Sequence, residues 1–215
     1  MAATLIESTG VVPVVVLESA SQAAPLSKAL LAGGIPVIEV TFRTAAAAES
    51  ISILAEDARL LIGAGTVLTE RQLDAALEAG ARFIVTPGFS ARIVRGCQAA
   101  GVPVYPGVAT GTEIQLALEE GLEVVKFFPA GTSGGPAAVK ALSAPFSMMR
   151  FIPTGGVGQA NMDDYLRLPS VLAVGGSWMV SPELVAAGAY DEVTALSTAA
   201  VEQVTHSRRR VKEDS

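Results

Sequence analysis

The sequence predicts an α/β fold, a closed (β/α)8 TIM barrel built as a single domain. Three observations predict it. Eight short apolar runs alternate with helical segments along the 215 residues, and alternation of this kind builds a parallel sheet, with eight units the count of a closed barrel. Every connection is short, and no linker or shift in composition splits the chain. The rival architecture, an open doubly wound sheet, binds dinucleotides through a GxGxxG turn that is absent after the first strand here. The barrel with a short N-terminal helix is assigned to residues 1–206, and residues 207–215 read as a polar, disordered tail.

The elements follow in order. Leu5-Ile6-Glu7 suggests one helical turn before Gly10. Val11–Leu17 is nearly all apolar and reads as a strand buried on both faces. A helix over Ser21–Ala32 shows Leu26, Leu30 and Leu31 at helical spacing and stops at Gly33-Gly34. Val37–Phe42 is a strand, Ala45–Ala55 an alanine-rich helix, and Arg59–Ile62 a strand running into Gly63-Ala64-Gly65-Thr66. Thr69 caps a helix to Ala79, and Ser90 opens one reaching Ala100 after the strand Arg82–Val85. The strand Val102–Tyr105 ends at Pro106-Gly107, before a helix from Thr110 or Thr112 to Glu120. The run Val124–Phe128 stops at Pro129, and a helix follows the Gly131–Pro136 loop through Leu142. Arg150–Ile152 is a strand ended by Pro153-Thr154-Gly155-Gly156, with a helix from about Asn161. Val171–Val174 is the last strand, and a helix over Tyr190–Gln203 closes the fold.

Composition narrows the function. Half the residues are hydrophobic and 17% are charged, enough to bury a large core. No run of eighteen apolar residues suggests a membrane span, and no signal peptide opens the chain. The single cysteine, Cys97, cannot form an internal disulfide, which suits a reducing cytosol. A net charge of −6 argues against a nucleic-acid surface, the only basic cluster being Arg208-Arg209-Arg210 near the end. With one histidine, His206, the sequence predicts no histidine-based metal site.

One charge stands out. Lys126 lies in the middle of an apolar strand, sharing a face with Val124 and Phe128. A buried lysine must be paired or lose its proton, and a neutral amine can attack a carbonyl to form a Schiff base. Taken alone, it also reads as an amphipathic strand whose lysine snorkels to solvent. On the second strand, alternation turns Val37, Glu39, Thr41 and Arg43 inward together. A Glu39–Arg43 ion pair satisfying itself is the plain reading. With Lys126 in the same cavity, Glu39 gains the role of general acid and base, and Arg43 that of carboxylate clamp. Burial and Arg43 favour the neutral amine, while Glu39 favours the ammonium.

The glycine turns add an anion site. Gly155-Gly156 and Gly175-Gly176-Ser177 end the seventh and eighth strands, where barrels of this class commonly hold phosphate. Gly63-Ala64-Gly65-Thr66 offers a hydroxyl beside backbone N–H groups and reads equally as a tight turn. Thr86-Pro87-Gly88 reads as a turn, with Pro87 a wall of the pocket.

Taken together, five segments resemble the 2-keto-3-deoxy-6-phosphogluconate (KDPG) aldolase and 4-hydroxy-2-oxoglutarate aldolase family. They are Glu39-Val40-Thr41-Phe42-Arg43-Thr44, Gly63-Ala64-Gly65-Thr66-Val67-Leu68, Lys126-Phe127-Phe128-Pro129-Ala130, Pro153-Thr154-Gly155-Gly156 and Gly175-Gly176-Ser177-Trp178. The resemblance runs from about Val11 to Val204. It implies a class I aldolase that needs no cofactor, its chemistry carried by a covalent Schiff base on Lys126. The implied reaction splits KDPG reversibly into pyruvate and D-glyceraldehyde 3-phosphate. The implied alternatives are specialisation for 4-hydroxy-2-oxoglutarate, giving pyruvate and glyoxylate, or for the galactonate-derived analogue. By the same resemblance Glu39 is the proton shuttle, Arg43 and Thr66 lie along the pyruvate carboxylate, and Pro87 and Phe128 line the pocket. Gly155, Gly156, Gly176 and Ser177 would take the phosphate. It also implies a cytoplasmic homotrimer.

Two departures are visible: Phe42, where leucine is common, and Gly131-Thr132-Ser133-Gly134-Gly135 in place of a more acidic loop. The second borders the mouth of the site and bears on substrate preference. Outside the aldolases, a metal-dependent epimerase or isomerase on a phosphate-binding barrel and a non-catalytic anion-binding barrel are the competing readings. The lack of histidines argues against the first, and the second leaves Lys126 and Glu39 facing inward for no evident reason.

Overall fold

A computed structural model describes residues 2–213. Nine parallel strands are present among these residues: β1 Val11–Val15, β2 Val37–Thr41, β3 Leu61–Gly65, β4 Phe83–Val85, β5 Val104–Tyr105, β6 Gly107–Val108, β7 Val124–Phe127, β8 Arg150–Pro153 and β9 Val174–Gly176. They form a six-stranded sheet in the order β5-β4-β3-β2-β1-β9 and a three-stranded sheet in the order β6-β7-β8. Single bridges, Thr154 to Gly175 and Phe151 to Val171, link the second sheet to the segment that ends the first.

Helices follow the strands: α1 Ala2–Thr9, α2 Ala23–Ala32, α3 Ala47–Ala55, α4 Glu70–Glu78, α5 Ala91–Ala99, α6 Gly111–Glu119, α7 Gly135–Ser143, α8 Met162–Leu166, α9 Pro182–Ala187 and α10 Tyr190–Glu213. No helix among the described residues is long and apolar enough to cross a membrane.

Local chemistry sets several boundaries where the sequence places them. The Thr69 hydroxyl accepts from the Gln72 N–H at 3.2 Å and starts α4. Thr110, rather than Thr112, caps α6, with Glu113 reaching back to complete a capping box. One face of each inner strand is apolar because it meets a helix. Ile38 and Val40 of β2 are fully buried there, each contributing roughly 1.5–3 kcal/mol by leaving water.

Other boundaries move. The third strand begins at Leu61 rather than Arg59, because Asp57 holds Arg59 in a local turn through its N–H at 3.0 Å and its guanidinium at 2.9 Å. It then continues through Gly63-Ala64-Gly65, pairing residue for residue with β2 as far as Thr41↔Gly65. The fifth strand does not end at Pro106: β5 and β6 lie on either side of it. The proline lacks an N–H, but its carbonyl still accepts from the Lys126 N–H at 2.9 Å.

The last strand lies at Val174–Gly176, three residues beyond its predicted start. The Leu172 carbonyl is taken by Arg208 at 2.9 Å, and regular pairing to β1 starts with Val11↔Val174. Gly175-Gly176, predicted as a turn, are the last residues of β9 and pair with Val12 and Pro13; after Ser177 come a 3-10 turn over Trp178–Val180 and then α9. At the amino terminus α1 has eight residues instead of one turn, anchored by fully buried Ile6.

The polar tail is the largest correction. Instead of ending at Gln203, α10 runs to Glu213, and residues 207–213 are helical; Asp214 and Ser215 lie outside the described residues. The extension is anchored by polar groups, which a search for apolar periodicity does not register. Buried Ser207 bonds Asp163 of α8, Gln203 donates to the Gln159 carbonyl at 2.9 Å, and Arg208 reaches Leu172.

Candidate active site

The site forms at the carboxyl ends of the strands. β7 runs Val124–Phe127 with Lys126 only 5% exposed, and β2 carries Glu39 at 3%. Their side chains meet: Lys126 Nζ lies 3.4 Å from Glu39 Oε1 and 5.0 Å from the centre of the Phe128 ring. The predicted alternative, Glu39 paired with Arg43, does not occur. β2 ends at Thr41, so strand alternation no longer governs Arg43. That residue lies exposed at the cavity rim with no acidic partner among the described residues.

Glu39 reaches Lys126 across β3, and a glycine makes this passage possible. A Cβ at Gly65 would lie 2.2 Å from Glu39 Oε1 and 2.6 Å from its Cγ. Any larger residue at 65 would push the carboxylate off its course.

Above the pair opens a cavity of about 480 Å³. Lys126, Phe128, Thr66, Pro87 and Arg43 line it. Gly155, Gly156, Gly176 and Ser177 line it as well, with Gly155 beside the Phe128 ring. Of the ten residues singled out from the sequence, nine therefore share one cavity. Glu39 is the exception, lying beneath Lys126 rather than on the cavity wall.

Backbone geometry prepares this space. Thr66 has φ +56°, left-handed for a β-branched residue, a strain of the kind that persists at binding sites. Gly155 and Gly156 have φ +89° and +75°, and a Cβ on Gly155 would come within 3.1 Å of the Phe128 ring. Asn161 braces that turn, accepting from the Gly158 N–H and donating to the Gly156 carbonyl, both at 2.9 Å.

Some lining residues escaped the sequence reading. Val14, Val16, Val157, Val180 and Pro182 add apolar lining. Thr41 and Thr154 add hydroxyls. Thr41 sat on the inward face that alternation defines, and its hydroxyl is committed to the Val15 carbonyl at 2.9 Å. Val180 and Pro182 had no signal, since they arrive on the short helical segment after β9. Among the described residues no three His, Cys, Asp or Glu side chains gather as a metal-binding set.

Comparison with known proteins bears on this arrangement. The family described as "Aldolase: KDPG and KHG aldolase" matches residues 3–196. The chain belongs to that family. It is an aldolase, and so a lyase. A 2-dehydro-3-deoxy-phosphogluconate aldolase of Treponema pallidum (strain Nichols) is 51% identical over 193 residues, 89% of this chain and 92% of the relative. Among solved structures, KDPG aldolase from Legionella pneumophila, with pyruvate captured as a covalent carbinolamine intermediate, superposes with TM-score 0.89. It is 39% identical and covers 93% of this chain and 98% of its own. The KDPG aldolase of Zymomonas mobilis ZM4 with 3-phosphoglycerate gives TM-score 0.86 at 41% identity, over 92% and 93% of the two chains.

Proposed function

We infer that the chain is a class I aldolase that reversibly cleaves KDPG to pyruvate and D-glyceraldehyde 3-phosphate. One observation carries the reading: a buried amine and a buried carboxylate, 3.4 Å apart, beneath a cavity that the Gly155-Gly156 turn and the end of β9 at Gly176-Ser177 also line. The covalent pyruvate adduct in the Legionella relative and the 3-phosphoglycerate in the Zymomonas relative support both halves of it.

The neutral Lys126 amine attacks the C2 ketone and forms a carbinolamine. Glu39 moves the protons that let this intermediate lose water and become an iminium. The C4 hydroxyl is then deprotonated and the C3–C4 bond breaks. Its electron pair flows into the iminium to leave an enamine, and glyceraldehyde 3-phosphate departs. Protonation of the enamine at C3 and hydrolysis return the amine and pyruvate. The electrophile is thus the covalent iminium itself.

The remaining assignments follow the cavity. Arg43 and Thr66 hold the pyruvate carboxylate, the first as a guanidinium at the rim, the second through its hydroxyl in the strained turn. Pro87 and Phe128 wall the carbon chain. Gly155, Gly156, Gly176 and Ser177 take the phosphate on backbone N–H groups and one hydroxyl. The two sheets belong to one closed (β/α)8 barrel, a reading supported by the continuity of β5 and β6 across Pro106 and the bridge from Thr154 to Gly175. A single domain continues past residue 206, supported by one hydrophobic cluster from Ile6 to Val204 and by Ser207 and Arg208, which tie the unbroken α10 to Asp163 and Leu172. A cytoplasmic homotrimer is the assembly that the family resemblance supports.

Borohydride reduction in the presence of pyruvate, followed by peptide mapping, tests the assignment. The adduct is expected on Lys126. An unmodified protein, or an adduct on another lysine, would sink the reading. Relative rates on KDPG, 4-hydroxy-2-oxoglutarate and the galactonate analogue then fix the preference.

A further inference from the structure

Below the Lys126–Glu39 pair, on the side away from the substrate cavity, lies a second and much smaller space. It gives about 10 Å³ of room to the centre of a water-sized sphere, enough for one water molecule. Glu39, Lys126, Thr154 and Tyr105 contribute the polar groups at its wall, and Ile6 of α1 lines it with other apolar side chains. Tyr105 is the unexplained member. The residue is 4% exposed, and its hydroxyl has no hydrogen-bond partner among the described residues. Its ring is set against Phe83, with centroids 5.9 Å apart and planes inclined at 51°. A phenol whose hydroxyl is unmet in apolar surroundings is costly, and buried polar groups are as a rule satisfied by protein or by an ordered water. Burial also pushes the Tyr105 phenol up to about 12, so it keeps its proton and remains a donor at any working pH.

We propose that one internal water occupies this space, accepting from the Tyr105 hydroxyl and donating to the Glu39 carboxylate, which makes Tyr105 a positioning residue for proton transfer at Lys126. The site meets the two conditions for a buried water, room for one molecule and two to four polar partners. Lys126 and Thr154 line both spaces, so the water sits behind the reacting amine and need not be displaced when substrate enters from the front. Held there, it fixes the carboxylate that otherwise has only the 3.4 Å contact to the amine. The inference rests on the aldolase reading and refines it.

Tyr105→Phe tests it, since the variant keeps the ring and removes one oxygen. In the full chain, kcat for cleavage and the rate of pyruvate methyl deuterium exchange are expected to fall roughly ten-fold, with KM and borohydride trapping unchanged. A purely structural tyrosine would lower the melting temperature without slowing exchange relative to trapping, and exchange at the wild-type rate overturns the proposal. A crystal structure of the wild-type protein, at a resolution that shows ordered water, decides the matter independently of how the variant folds. One water within roughly 3.2 Å of both the Tyr105 hydroxyl and the Glu39 carboxylate is expected, and its absence overturns the proposal. If the wild-type protein itself fails to trap pyruvate, the aldolase reading falls. If trapping persists while exchange in the variant is unaffected, only this inference does.

Discussion

Two carboxylate–cation pairs in this molecule reverse the usual link between tight geometry and importance. On the surface, Arg95 of α5 grips Glu120 with two hydrogen bonds, at 2.6 and 3.1 Å. Inside, Lys126 and Glu39 make one contact at 3.4 Å, with side chains only 6% and 4% exposed. The surface pair satisfies itself and competes with water for little gain. The inner pair has left water at considerable cost and does not close into a saturated contact. With this one contact and the cavity beside it, the Lys126 amine is left open on the side from which a carbonyl arrives. What marks the functional pair is its burial beside a cavity, together with a glycine at 65 that clears the path between the partners.

The sharpest way to break this contrast is Lys126→Ala. Turnover is expected to disappear and borohydride trapping with it, while circular dichroism shows a folded protein; residual aldol cleavage would remove the Schiff base from the account. Next in size is Glu39→Gln, which keeps the shape and a hydrogen-bond partner for the amine but not the proton exchange. A fall in kcat of about 10²–10⁴-fold is expected, with pyruvate still trapped on Lys126. Single-turnover kinetics would show whether proton transfer has become the slow step.

A smaller effect is expected at Ser177, just past the end of β9. Ser177→Ala should raise KM for the phosphorylated substrate roughly ten-fold and leave 4-hydroxy-2-oxoglutarate unaffected, since only the former has a phosphate for the hydroxyl to meet. Equal losses on both substrates would move the phosphate elsewhere.

The surface pair supplies the smallest change. Arg95 holds the Glu120 carboxyl below the ordinary glutamate range by its hydrogen bonds. A carboxyl depressed in the folded state stabilises above its unfolded pKa and loses that contribution as pH falls through its folded value. Arg95→Gln should therefore shift the melting temperature slightly at pH 7, and the gap to wild type should close on acidification, with activity unchanged throughout. A gap that widened in acid would contradict the pairing.

The asymmetry between the pairs also explains what could be read without coordinates. The inward set on β2 was legible because strand geometry has a period of two, and Glu39 and Thr41 obey it. Lys126 was legible because a charge inside an apolar run needs a reason. Asn161 was seen only as a helix start, and its two bonds to the glycine turn depend on a loop conformation that no local pattern specifies. Tyr105 was read as one more apolar strand residue.

By itself, the sequence determined the alternation of strands and helices, the inward placement of Glu39 and Lys126, and the Gly155-Gly156 turn beside the cavity. These follow from local rules: side-chain periodicity, capping, and the freedom of glycine. Tertiary structure decided that Glu39 pairs with Lys126 and not Arg43, that Gly63 to Gly65 form strand rather than turn, and that α10 extends past Gln203 on polar anchors. Each of these depends on what lies across the molecule: the Lys126 amine for Glu39, β2 for the glycines, and Asp163 and Leu172 for the last turns of α10. A contact between residues 87 apart in the chain, as Glu39 and Lys126 are, is made by the packing of strands, and no stretch of sequence contains it.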